Sequence, residues 1–302
     1  MSFFDNKSGQ HMGDGAQGIQ VAGDATFGNT TTEIVTICEL VVRSQMASLK
    51  EDAYKIVNQR ATEFGNQIAE KLSQDFDDKL KERLADPDVQ YSINQAVTQV
   101  ARKGFNEKSE LLKELIVTKI HNNDEEDDLL IDHALEITQK LTTNDIKFLS
   151  LIYYLRSIAK IKDGINITRL AEKNQTHPDL VGFTVEQNHL THKDLYSNHH
   201  PDYVRILGDL NTIKAVNDGL LAVKGVVYSD KFYTITYQEL LGKRIGVESF
   251  LNEDEFFEKF PALKAILNAY NIDTLKSFNS ITLNPIGDIV AENYLKARHF
   301  IS

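Results

Sequence analysis

Six apolar residues, Phe64, Ile68, Leu72, Phe76, Leu80 and Leu84, recur at intervals of four, and that spacing calls for helix yet cannot be served by one face of a straight one. An α-helix advances 100° per residue, so five steps of four carry the stripe about 200° around the axis. No one face can hold all six. The spacing predicts a bend or break near Ser73-Gln74, or a long helix covered by different partners along its length. Amphipathic segments of the same period follow on both sides. Thr30, Thr31 or Thr32 can cap a helix whose Ile34, Ile37, Cys38, Val41 and Val42 fit the i, i+3, i+4, i+7 template. Asp86 stands before Pro87, a capping residue ahead of a first-turn proline, and Val89, Ile93, Val97 and Val100 then form a stripe that Gly104 ends.

Leu111, Leu112, Leu115, Ile116 and Lys119-Ile120 predict the next helix, closed by His121-Asn122-Asn123. The acidic run at residues 124–128 sits where a helix with Leu129, Leu130, Ala134, Leu135 and Ile137 would start. Carboxylates there answer the unpaired amides of a helix N-terminus, and the run lacks the glycine-centred loop of an EF-hand. Thr142-Thr143-Asn144 caps a helix that is apolar on several sides and is predicted to be the centre of a bundle.

Ahead of these helices lies an arm of different composition. Six of the sixteen glycines fall within residues 9–28, and a Gly-Asp-x-x-x-Gly unit at Gly13-Asp14 recurs at Gly23-Asp24. Glycine takes positive φ at little cost, Asp closes turns, and Ile19, Val21 and Phe27 supply alternating apolar side chains, which predicts a short hairpin or two rungs. So little apolar surface is marginal alone, and the arm would need a sheet, a helix face or copies of itself from sister subunits to become ordered. Gly13, Asp14, Ile19, Val21, Gly23, Asp24 and Phe27 are therefore the candidate oligomerisation residues. A solvated Gly/Gln/Asn-rich leader is the competing reading of the same composition.

Composition changes at Asp163-Gly164, and residues 177–201 read as a polar loop. Beyond it, Tyr203, Ile206, Leu207, Leu210 and Ile213 predict a helix ending near Asp218-Gly219. Two β-rich runs, 220–228 and 232–237, predict a hairpin. The segment with Phe256, Phe257 and Phe260 predicts a helix bent at Pro261, and a short strand at 280–283 leads to a helix launched by Asn284-Pro285. The expected fold is mainly α: a β arm over 1–32, a helical bundle over 33–162, and a winged-helix-like α+β domain over 163–302. Asp86-Pro87-Asp88, residues 141–145 and Leu283-Asn284-Pro285-Ile286-Gly287 resemble bacterial proteins of the abortive-infection Abi-alpha kind, and the arm is similar to leaders on bacterial proteins of this length. That resemblance implies an anti-phage defence setting and carries over no active-site residues.

A net charge of −11, from 44 acidic and 33 basic residues, disfavours nucleic acid and anionic lipid as partners. A winged-helix regulator binding nucleic acid is the alternative that the C-terminal part raises, though its cations, Lys214, Lys224, Lys231, Lys243 and Arg244, are scattered. One cysteine, Cys38, forms no intramolecular disulfide and reads as a small buried hydrophobe. With no signal-like opening and no membrane-length apolar stretch, the expected compartment is the cytoplasm.

Five of the nine histidines lie between His177 and His200. Glu186, His189 and His192 are spaced to share a helical face as metal ligands, the basis for a metal-dependent enzyme as a further alternative. The segment has no helical stripe and no HExxH, which favours a solvated linker. Gly13-x-Gly15-x-x-Gly18 follows no strand, and neither a P-loop nor a G-x-S-x-G elbow occurs. No cofactor is implied. These features point to a non-enzymatic protein that forms homo-oligomers and recognises another protein.

Overall fold

A computed structural model describes residues 30–73, 77–159, 168–169, 201–229, 235–244 and 247–301. Among the described residues, seven helices follow one another closely: α1 (Thr30–Gln45), α2 (Glu51–Leu72), α3 (Asp78–Ala85), α4 (Pro87–Lys103), α5 (Glu107–His121), α6 (Glu125–Thr138) and α7 (Thr143–Ser157). Of the two outcomes that its drift allowed, the four-step stripe takes the break near Ser73. α2 ends at Leu72 with Ser73 as its C-cap, and α3 restarts behind Asp77, whose carboxylate accepts from the Leu80 amide at 2.9 Å. Phe64, Ile68, Leu72, Leu80 and Leu84 are all buried, on two helices rather than one. Asp86 caps α4 ahead of Pro87, and Gly104, at φ 77°, takes the left-handed conformation that ends it.

α1 and α2 form an antiparallel hairpin. Thr62 donates to Glu39 at 3.3 Å, while Gly65 lies so close to α1 that a Cβ there would come within 3.1 Å of Val35 Cα and Cys38 Sγ. α4 packs on both helices, α5 packs on α2, α4 and α6, and α3 bridges α4 and α5. α7 is the central helix that its sequence announces, with every residue from 148 to 155 buried. Thr142 and Asp145 close its first turn reciprocally, at 3.0 and 2.7 Å.

The C-terminal part supplies α8 (Pro201–Leu207), α9 (Asp218–Val223), α10 (Tyr237–Arg244), α11 (Glu253–Lys259), α12 (Pro261–Ala269), α13 (Leu275–Asn279) and α14 (Pro285–Ala297). α11 and α12 are one amphipathic stretch divided at Pro261, as expected. Asn284 caps α14, accepting from the Gly287 amide at 2.9 Å. α14 returns to lie against α5, α6 and α7, joined to α5 by a Thr118–Asn293 hydrogen bond of 2.7 Å.

The winged-helix expectation is corrected here. Residues 220–228 do not form a strand: the Asn217 side chain accepts from the Leu220 amide and starts α9. At the other run, Thr236 and Glu239 exchange bonds of 3.2 and 2.8 Å that start α10 at Tyr237. Residues 230–234, between them, lie outside the described residues. Apolar and β-branched residues make a strand only where a partner edge exists, and here the local caps prevail. Among the described residues, what remains of the wing is one antiparallel bridge between Val227 and Leu283. The extended strands described are two residues each, β1 (Ile158–Ala159) and β2 (Thr168–Arg169), paired antiparallel. The helix expected over 203–218 stops at Leu207, where Gly208 turns to φ 73°. Asp218-Gly219 then begins a helix rather than ending one. The expected N-terminal hairpin lies outside the described residues.

Candidate functional site

The candidate oligomerisation residues Gly13, Asp14, Ile19, Val21, Gly23, Asp24 and Phe27 all lie outside the described residues, as do Glu186, His189 and His192. The described part carries its own site where α3, α4, α5 and α6 meet. A cavity of about 720 Å³ opens there, with six carboxylates on its wall (Asp88, Asp124, Glu125, Glu126, Asp128 and Asp132) against two cations, Arg83 and Lys119.

Lys119 is the organising residue. It falls on the buried stripe of α5 beside Leu115, Ile116 and Ile120, so helical period carries a cation into the core. Its side chain is 1 % exposed, and Nζ meets Asp88 of α4 at 2.6 Å and Asp132 and Asp128 of α6 at 2.9 and 3.3 Å. Burial works to lower the Lys119 pKa, but the hydrogen bonds that its ammonium donates to Asp88 and Asp132 and the charges of Asp132 and Asp128 outweigh it and hold the ammonium above its ordinary range. Asp128 is the converse case. Burial works to raise its pKa, yet the Asn122 amide, the Arg83 guanidinium and Lys119 bring the carboxyl below the usual range. Asp132 also accepts from Ser92 at 2.8 Å. One ammonium thus ties α4, α5 and α6 together.

The acidic run plays its expected capping role, because Asp124 accepts from the amides of Glu126 and Asp127 at 3.0 and 3.1 Å. Glu125 and Glu126 remain exposed. Leu129, on the cavity wall, is 59 % exposed, and Tyr91, one turn along α4 from Asp88, is 58 % exposed. The inner carboxylates are therefore neutralised by Lys119 and Arg83, while the outer ones keep an anionic field beside two large apolar side chains. Such a surface attracts cationic groups. Among the described residues, no group of three or more His, Cys, Asp or Glu is arranged to hold a metal ion. Cys38 is buried as expected, and desolvation pushes its thiol up to about 12, far from a reactive thiolate.

Lys119 was the residue that helical pattern alone left without a role. The available signal was a lysine on an apolar stripe, since a buried ammonium requires carboxylate partners. Which carboxylates answer it depends on how three helices cross.

Fold and site together define a mainly α-helical protein, with an acidic basin formed across four helices and no described helix long and apolar enough to cross a membrane. A protein-family model described only as ":-like" matches residues 28–199, more than half of the chain, and the chain belongs to that family. No curated protein and no solved structure matches it.

Proposed function

We propose that this chain is a non-enzymatic, self-assembling protein-interaction module, in which the N-terminal arm joins copies of the chain and the acidic basin receives a basic segment of another protein. The observation that carries the partner half of this reading is the basin itself: six carboxylates against two cations, with Leu129 on its wall and Tyr91 a turn beyond. Charge complementarity steers a Lys/Arg-rich partner to such a surface, and large exposed side chains add contact area once it arrives. The assembly half rests on the arm's composition and on its root. α1 follows the arm directly and has Ile34, Cys38, Val41 and Val42 fully buried, so a contact made by the arm is transmitted to a fixed body.

A bacterial, cytoplasmic, anti-phage setting of the abortive-infection kind belongs to the same reading. It is supported by the helix-start residues Asp86-Pro87, Thr142 to Asp145 and Asn284-Pro285, which carry the resemblance. Deleting residues 1–29 tests the assembly half: light scattering is expected to report a lower mass while helical circular dichroism stays nearly intact, and an unchanged mass rejects the role. For the partner half, a Lys-rich peptide is the probe. Reversing Glu125 and Glu126 to Lys is expected to abolish its binding in fluorescence anisotropy, and equal binding by variant and wild type rejects the basin.

A further inference from the structure

Lys214 and Lys224 are scattered in the sequence, but the fold brings them to Lys147 at the start of α7. A second cavity opens there, about 530 Å³, walled by Thr143, Asp145, Lys147, Lys214 and Lys224 among others. Its volume lies within the range of small-ligand sites, roughly 300–1,000 Å³. The carboxylates at hand do not balance its cations. Glu107 is shared, meeting Lys147 at 3.1 Å and Arg298 at 2.8 Å. Asp145 meets Lys224 at 2.7 Å while also accepting from the Thr142 amide. No carboxylate among the described residues lies within ion-pair distance of Lys214.

Lys108 adds to the crowding behind this wall. Its ammonium donates to the Thr138 carbonyl at 3.2 Å. Burial first, then the nearby charges of Lys103 and Lys224, hold its pKa below the ordinary range, with Asp145 opposing them. In a chain of net charge −11, this is a local excess of positive charge around a hollow. Three lysines lining one cavity from different parts of the chain suit a compact, multiply charged anion better than a single carboxylate, and lysine recognises phosphate as a point charge.

We propose that this cavity binds a small phosphate-bearing anion, with Lys147, Lys214 and Lys224 as its charge partners and the Thr143 hydroxyl as a hydrogen-bond donor. The site is separate from the acidic basin, and its case is independent of the assembly reading.

Isothermal titration of the full chain at low ionic strength tests it, with inorganic pyrophosphate and ADP as the probes. Saturable one-site binding of pyrophosphate is expected. Equal affinity for ADP confines recognition to the phosphates, and tighter ADP binding extends it to the nucleoside. Lys214 is exposed, so Lys214→Glu is expected to keep the circular dichroism of the wild type and to weaken pyrophosphate binding about tenfold. Lys50→Glu, an exposed charge reversal outside the cavity wall, is expected to leave the affinity unchanged. Absence of saturable binding by both probes overturns the proposal. So does an equal loss in the two variants, which would mean diffuse attraction.

Discussion

At the scale of single residues, two positions carry more than their share of the structure. Lys119 is one, because its ammonium serves carboxylates on two other helices from inside the core. Lys119→Met would keep much of the volume but take the cation from Asp88 and Asp132 and leave Asp128 with Arg83 and Asn122. Loss of about 3 kcal/mol in urea unfolding is expected, since removing the central partner of a buried ionic cluster leaves part of its charge uncompensated. The pH dependence follows from the directions of the two pKa shifts. Asp128 is held low, so its contribution is present above the unfolded carboxyl value and fades as acid carries the pH through the lower folded one. Lys119 is held high, so its contribution is complete below the unfolded lysine value and is lost only as alkaline pH passes the folded one. The wild type is therefore expected to lose more stability than Asp128→Asn between neutral and strongly acidic pH, a difference readable from urea midpoints.

Gly287 is the second such position. A Cβ on it would lie 2.0 Å from the Val226 carbonyl oxygen, where the first turn of α14 passes the loop after α9. Backbone cannot retreat as a flexible side chain can. Gly287→Ala is expected to cost at least about 2 kcal/mol by forcing the two segments apart, and an unchanged melting temperature would show that the approach is looser than described.

Among the elements, local chemistry sets most boundaries. Asp77, Asp86, Asn106, Asp124, Thr142 and Asn284 each accept a backbone amide at the head of a helix. Replacing Asp86 by Ala should cost about 1 kcal/mol in chemical denaturation through loss of the α4 cap. The starts at Asp86, at the acidic run, at Thr142 and at Asn284 were legible because a cap and the residues that it serves lie within four positions of each other. The break between α2 and α3 was legible for a related reason, since the drift of a four-residue stripe is a property of the helix itself. The misread element shows the limit. Residues 220–228 have the apolar, β-branched content of a strand, but strand formation depends on a partner edge that no local pattern encodes. Only Val227 found such an edge, at Leu283.

On the scale of the whole molecule, the chain's end closes its middle. α14, which starts at Pro285, buries Val290, Ala291, Tyr294 and Leu295 against helices that start at Glu107, Glu125 and Thr143. The Tyr294 hydroxyl donates to the Ile206 carbonyl at 3.2 Å. Burial, followed by the Glu107 charge, pushes its phenol up to about 12. A chain ending before Asn284 would expose the apolar faces of α5, α6 and α7, and its thermal transition is expected to lose cooperativity in circular dichroism. A sharp transition would contradict that packing. The sequence alone determined the helical class, the capped starts, the break after Leu72 and the buried centre at α7, because each follows from interactions within a turn or two of chain. The tertiary structure decided which charges meet. Lys119 finds Asp88 and Asp132, and Lys147 finds Glu107, only because helices distant in sequence cross there; Coulomb and hydrogen-bond partners are fixed by distance in space, which helical period does not specify.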